Sequence, residues 1–195
     1  MPRNVEVKAK VEDLKQLLDK SADLCEQSQA EVLKQHDTFF NSPNGRQGFI
    51  FKNVRNNQSP GMNAFRLKLR EFVGTDGPSE LIFYDRPDEE GPKISDFVKA
   101  SIEDAKSLKE ALRKSMGIKG ELKKTRHLFI KGQTRIHVDQ VEGLGDFMEL
   151  EVCLKDDQDL SEGQRIADAL LEKLGIPKSA LISGAYIDAL TSKDS

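Results

Sequence analysis

The chain predicts an α+β fold in which eight or nine largely antiparallel strands close into a β-barrel. Three observations carry this. Several segments place a charged residue at every second position, so that each is one apolar ribbon and one ionic ribbon. Gly, Pro and Asn clusters punctuate these segments at short intervals, as turns between antiparallel neighbours do. Helical segments are too few to cover both faces of an open sheet, and closure would remove the exposed edges.

Asn4-Val5-Glu6-Val7-Lys8-Ala9-Lys10 opens the pattern, with a strand expected over 4–11. A helix follows from Val11-Glu12-Asp13-Leu14, its stripe formed by Leu14, Leu17, Leu18 and Leu24. A second strand over 31–40 ends at the turn Asn41-Ser42-Pro43-Asn44-Gly45. A short strand Gly48-Phe49-Ile50-Phe51 and a polar loop from Asn53 to Gly61 come next. Strands recur at 63–73, 79–86 and 93–100, followed by a helix over 103–116 with Leu108, Leu112 and Met116 at four-residue spacing. Strands at 119–131, 133–142 and 146–155 form successive hairpins through Lys131-Gly132-Gln133 and Glu142-Gly143-Leu144-Gly145. Helices over 161–174 and 183–190 close the chain, the first with a capping box Ser161-Glu162-Gly163-Gln164 and a stop at Gly175-Ile176-Pro177.

At 195 residues the chain is long enough for a real core and is read as one domain, 1–195. Charged residues make up 32%, yet the net charge is only −3, which speaks against a nucleic-acid partner. No apolar run approaches the ~18–20 residues of a membrane span or a signal-peptide core, so no membrane partner is expected. Cys25 and Cys153 lack metal-ligand spacing and read as reduced thiols in a cytoplasmic protein. A monomer or a homodimer is expected.

The ionic ribbons carry the chemistry. Arg66, Lys68 and Arg70 share one strand face, Lys124 and Arg126 another, and Arg86 and Arg135 add two more cations. On a single strand the ordinary explanation is a solvated outer face. Agreement among several strands favours a polyanion, since guanidinium groups grip phosphate bidentately and ammonium groups add point charge. Glu6, Asp139, Glu149 and Glu151 also sit at alternate positions. Such acids can hold hard divalent ions beside phosphates, against the ordinary alternative of surface ion pairs. His36, His127 and His137 show no ligand spacing; His137 alternates with Arg135 and Asp139 and could line the same interior, though a structural histidine is the ordinary reading. No glycine-rich phosphate loop is present, so side chains would have to hold the phosphates.

These residues, in this order, resemble the CYTH superfamily of class IV adenylyl cyclases, thiamine triphosphatases and related triphosphate tunnel metalloenzymes. The likeness runs from Asn4-Val5-Glu6-Val7-Lys8 through His36-Asp37-Thr38-Phe39-Phe40, Arg66-Leu67-Lys68-Leu69-Arg70, Leu81 to Pro87, Gly91-Pro92-Lys93-Ile94-Ser95 and Lys123-Lys124-Thr125-Arg126. It is most specific at Thr134-Arg135-Ile136-His137-Val138-Asp139 and Gly143 to Glu151, and reaches Ala185 to Leu190. The resemblance implies an eight-stranded antiparallel barrel, a tunnel with charged side chains inside and helices outside. It implies Mg2+ or Mn2+ held by Glu6, Asp139, Glu149 and Glu151. It assigns the phosphates to Lys8, Arg66, Lys68, Arg70, Arg86, Lys124, Arg126 and Arg135, with Lys10 and Lys93 at the tunnel mouth. Asn4 departs from the superfamily's Glu-x-Glu-x-Lys signature by removing its first carboxylate.

The expectation is a metal-dependent hydrolase of a small triphosphate: inorganic tripolyphosphate, a nucleoside triphosphate or thiamine triphosphate. Glu6, Lys8 and Glu151 would be its catalytic residues. Phosphoryl transfer depends mainly on positioning and electrostatics, which accounts for the lack of a dedicated nucleophile. Two alternatives stand beside it. One is a class IV adenylyl cyclase making cyclic AMP and pyrophosphate, which the absence of Trp and the presence of only two Tyr do little to support. The other is a non-catalytic polyphosphate or nucleotide-binding module.

Overall fold

A computed structural model describes residues 3–27, 29–41, 63–75, 77–87 and 93–191 of the chain. The expected strand 48–51, the loop 53–61 and most of the turn 41–45 lie outside them. Eight strands are described: β1 (Arg3–Lys10), β2 (Glu31–Phe40), β3 (Asn63–Phe72), β4 (Ser79–Pro87), β5 (Lys93–Ile102), β6 (Ile118–Lys131), β7 (Thr134–Val141) and β8 (Gly145–Cys153). They close into an antiparallel barrel in the order β1-β5-β4-β3-β2-β6-β7-β8. β2 to β5 and β6 to β8 are two meanders in which strands neighbouring in sequence are neighbours in the ring. β1 completes the ring by pairing with both β5 and β8, for example Asn4 with Ser95 and with Cys153.

The outer apolar ribbons are covered by helices α1 (Leu14–Cys25) and α3 (Leu160–Leu174). Val5, Val7 and Ala9 of β1, Ile136 and Val138 of β7, and Met148, Leu150 and Val152 of β8 form one buried cluster with Leu17, Ala167, Leu170, Leu171 and Leu174 of the helices. This burial is what drives the alternating segments to turn their charged faces inward. Gly163 marks the closest approach: a Cβ there would sit 2.6 Å from Leu154 Cδ2 and 2.8 Å from Val5 Cγ2. Helix α2 (Ala105–Met116) packs against β2 and β3.

Helix starts follow acidic caps. Asp13 accepts from Gln16 N–H at 2.9 Å and Asp104 from Ser107 N–H at 3.0 Å. The expected capping box at Ser161 is not the start of α3. Asp159, in extended conformation, accepts from Ser161 N–H at 2.8 Å, so the helix begins before Ser161 and takes that residue inside. Gly175 ends α3 at φ 73°, as its sequence position predicts. The expected final helix over 183–190 is shorter and later, α4 (Tyr186–Thr191). Cys25 and Cys153 are free thiols. No helix among the described residues is long and apolar enough to cross a membrane.

Candidate functional site

The barrel encloses a cavity of about 280 Å³. Its wall comes from the inner face of the strands: Asn4, Glu6 and Lys8 of β1, Gln35 and Asp37 of β2, Lys68 and Arg70 of β3, Lys124 and Arg126 of β6, Arg135 and His137 of β7, and Glu149 and Glu151 of β8. With Glu80 of β4 and Lys99 of β5, seven cations and five carboxylates line it among the described residues, a surplus of two positive charges when all are ionised.

Two clusters have the same construction. Asp37 lies directly across from Arg70 on the neighbouring strand, and Lys68 shares its face two residues away. Arg70 donates to both carboxylate oxygens of Asp37 at 2.8 and 2.9 Å, and Lys68 donates at 2.7 Å. Asp139 lies across from Arg126, again with a lysine two residues away. Arg126 donates to both its oxygens at 2.7 and 2.6 Å, and Lys124 at 3.1 Å. Each Asp is fully buried, and each pre-sets a Lys-x-Arg pair toward the cavity. Burial opposes ionisation of Asp37, but Arg70 and Lys68 outweigh it and hold the carboxyl well below its usual range. Burial likewise disfavours charge on Asp139, and Arg126 and Lys124 overcome it. The lysines move the other way. Burial, with Arg70 beside it, lowers Lys68 to about 8, and burial with Arg126 lowers Lys124 to about 7.

A third cluster is built differently. Glu149 of β8 faces His137 of β7 in register, and Glu151 faces Arg135. Arg126 reaches Glu149 at 2.8 Å, Lys8 approaches it at 3.6 Å, and Arg135 lies 2.9 Å from Glu151. Burial works against the charge on Glu149, and Lys8 and Arg126 outweigh it. Burial and then Arg126 push His137 below its ordinary value, so its ring is neutral at neutral pH. Nitrogen and oxygen atoms of His137, Glu149 and Glu151 all lie within 4.8 Å of one another, a donor set that fits a divalent ion.

One end of the cavity is stoppered. The inner face turns apolar there, with Phe39, Leu122 and Phe147, and Tyr186 and Ile187 of α4 pack into it. The Tyr186 ring lies 4.8 Å from Phe147, carries Lys8 Nζ 4.1 Å from its centroid, and aims its hydroxyl at Asp139 at 3.4 Å. Asp188 accepts from Arg66 at 2.5 Å and from Lys119 at 2.7 Å.

Of the residues singled out from the sequence, Glu6, Lys8, Lys68, Arg70, Lys124, Arg126, Arg135, Glu149 and Glu151 line the cavity together. Asp139 lies beneath Lys124 and Arg126, outside the His137–Glu149–Glu151 group. Glu6 faces Glu151 across the β1–β8 pair and is also outside that group. Arg66 is buried against Asp188. Lys10 is exposed and does not line the cavity. The side chains of Arg86 and Lys93 lie outside the described part of the structure. Sequence reasoning missed Asp37, Gln35, Tyr186 and Asp188. For Gln35 and Asp37 a signal existed, since they share the alternating face that ends in Phe39. His36 and His127 are not among the lining residues, and His137 is.

A protein of Methanocaldococcus jannaschii, provisionally named an adenylate cyclase, is 28% identical over 109 residues, half of this chain. The match spans 60% of that relative's length. A Pyrococcus horikoshii structure superposes with a TM-score of 0.72 at 18% identity, covering 95% of this chain and 98% of that one. A Hippeastrum protein first taken for an adenylyl cyclase, whose dominant activity is that of a triphosphatase, superposes with a TM-score of 0.64 at 15% identity, covering 100% of this chain and 97% of that one. These likenesses concern the fold. The CYTH domain profile matches residues 2–186, nearly the full length, and the chain belongs to the CYTH family.

Proposed function

We propose that the protein is a metal-dependent hydrolase of a small triphosphate, either inorganic or carrying an organic group. The observation that carries this reading is the excess of cations on a closed inner wall, with two Lys-x-Arg pairs already oriented by buried aspartates. Preorganised cations need no rearrangement as charge develops on a transferring phosphoryl group. Lys8, Lys68, Arg70, Lys124, Arg126 and Arg135 bind the phosphate oxygens. Glu6 and Glu151, opposite each other on β1 and β8, orient the attacking water and accept its proton. Glu149 and Glu151 hold the divalent ion, which when bound neutralises phosphate charge as a Lewis acid. Asp37 and Asp139 position the cations. The dominant triphosphatase activity of the Hippeastrum protein supports hydrolysis.

A second reading, cyclisation of a nucleoside triphosphate, draws on Leu33, Phe72 and Leu128. These half-buried apolar side chains line the same cavity and could seat a base. The purified protein should be given tripolyphosphate, ATP and thiamine triphosphate with Mg2+ or Mn2+. Phosphate release supports hydrolysis; cyclic AMP and pyrophosphate from ATP support cyclisation. Glu149→Ala should lower kcat/KM at least about 100-fold while circular dichroism stays native. Full turnover by the folded variant would refute the site.

A further inference from the structure

We propose that His137 is a metal ligand, forming with Glu149 and Glu151 a mixed nitrogen–oxygen site that selects a first-row transition ion over Mg2+. The proposal rests on the triphosphate site described above and assigns its metal chemistry.

His137 is 4% exposed, and its Nδ1 is buried with no hydrogen-bond partner. Leaving a buried polar atom without a partner is unfavourable, so its position calls for a ligand. Nδ1 lies 3.8 Å from Glu149 Oε2 and 3.8 Å from Glu151 Oε1. That is too long for a hydrogen bond to either. Donors that share one ion at about 2.0–2.2 Å lie roughly 3.0–3.5 Å apart, so these atoms need close in by only a few tenths of an ångström to share one. Arg135 lies against Glu151 Oε2, on the side of the carboxylate away from the atom that faces His137, whereas the Glu149 Oε2 that faces His137 also accepts from Arg126 at 2.8 Å.

The donor chemistry sets the preference. Mg2+ takes oxygen ligands and keeps several waters. An imidazole favours transition ions, and the neutral ring provides a donor without adding negative charge. On β1, Asn4 puts a neutral amide on the same inner wall, so this region offers fewer carboxylates than an all-acid site. The other two histidines do not line the cavity, so only one can give the expected signature.

Mn2+ should be titrated into the full-length protein and followed by electron paramagnetic resonance, with electron spin echo envelope modulation on the bound fraction. A directly coordinated 14N signal is expected in the wild type. It should vanish in His137→Gln and persist in His127→Gln. The preference for Mn2+ over Mg2+ in competition should fall at least about tenfold in His137→Gln. Bound Mn2+ without 14N coupling in the wild type would show that Nδ1 is satisfied by water, and would overturn the proposal without needing any variant. Failure to bind Mn2+ would overturn it as well. Phosphate release on the same samples separates the two readings. Turnover without 14N coupling sinks the ligand and leaves the hydrolase standing, whereas 14N coupling without turnover does the reverse.

Discussion

The two aspartate clusters and the His137–Glu149–Glu151 cluster lie in one cavity, yet they are finished to different degrees. Asp37 and Asp139 each accept three short bonds from a lysine and an arginine, so both oxygens are committed. In the third cluster a buried nitrogen stands 3.8 Å from two carboxylates and bonds to neither. Saturated carboxylates act as struts that aim cations. In the third cluster Arg126, Lys8 and Arg135 engage the carboxylates, and the His137 nitrogen is the atom left over. The struts also differ from one another: Arg126 bridges Asp139 and Glu149, whereas Arg70 grips both oxygens of Asp37.

The largest expected effect tests that last difference. Arg126→Ala leaves two buried carboxylates short of a partner and should cost about 3–5 kcal/mol, seen in the urea midpoint. Arg70→Ala strips one carboxylate, which keeps Lys68, and should cost less. Equal losses would show that the bridge to Glu149 carries no energy. A control from the outer face comes next. Gly163→Ala drives a methyl into Val5 and Leu154 and should destabilise by about 1–3 kcal/mol in thermal melts, with kcat unchanged. A loss of kcat in that variant would mean that helix α3 is coupled to the inner wall.

The smallest effect is in pH. Lys124 near 7 and Lys68 near 8 sit below the ordinary lysine value, so between about pH 7 and 9 the unfolded chain binds more protons than the folded one. Stability of the ligand-free protein from these two groups therefore rises with pH through that window. A bound polyanion favours their charged forms, so triphosphate affinity should fall several-fold over the same range. Opposite slopes in melting temperature and in Kd are the signature. Parallel slopes would mean that the two lysines do not contact the ligand.

Much of this was legible in the chain. Alternation in Asn4 to Lys10, Phe65 to Arg70 and Thr134 to Asp139 identified both the strands and the residues that share a face, because one apolar side must be buried against something. Ring order was not legible. Nothing local states that β2 lies beside β6, or that Asp37 meets Arg70 rather than another cation, since register between distant strands is decided by the assembled core. The same limit hid the split among the acids. Asp139, Glu149 and Glu151 look alike in sequence, and only their neighbours across the strands separate the carboxylate clamped by Arg126 and Lys124 from the pair beside His137. Tyr186 and Asp188 were passed over because a short terminal helix gives no hint that it enters the barrel. The false capping box at Ser161 arose from matching side-chain types without knowing that Asp159, two residues ahead, was extended and capped the helix.

The position of β1 has a consequence for how the molecule assembles. Its partners are β5 and β8, and Val5 pairs with Val152 across nearly the whole length of the chain. β1 is therefore fully paired only once β8 is in place. Such long-range pairing makes for slow, all-or-none acquisition of structure, and truncation before β8 leaves an opened cylinder with an unpaired β1 edge instead of a smaller working one.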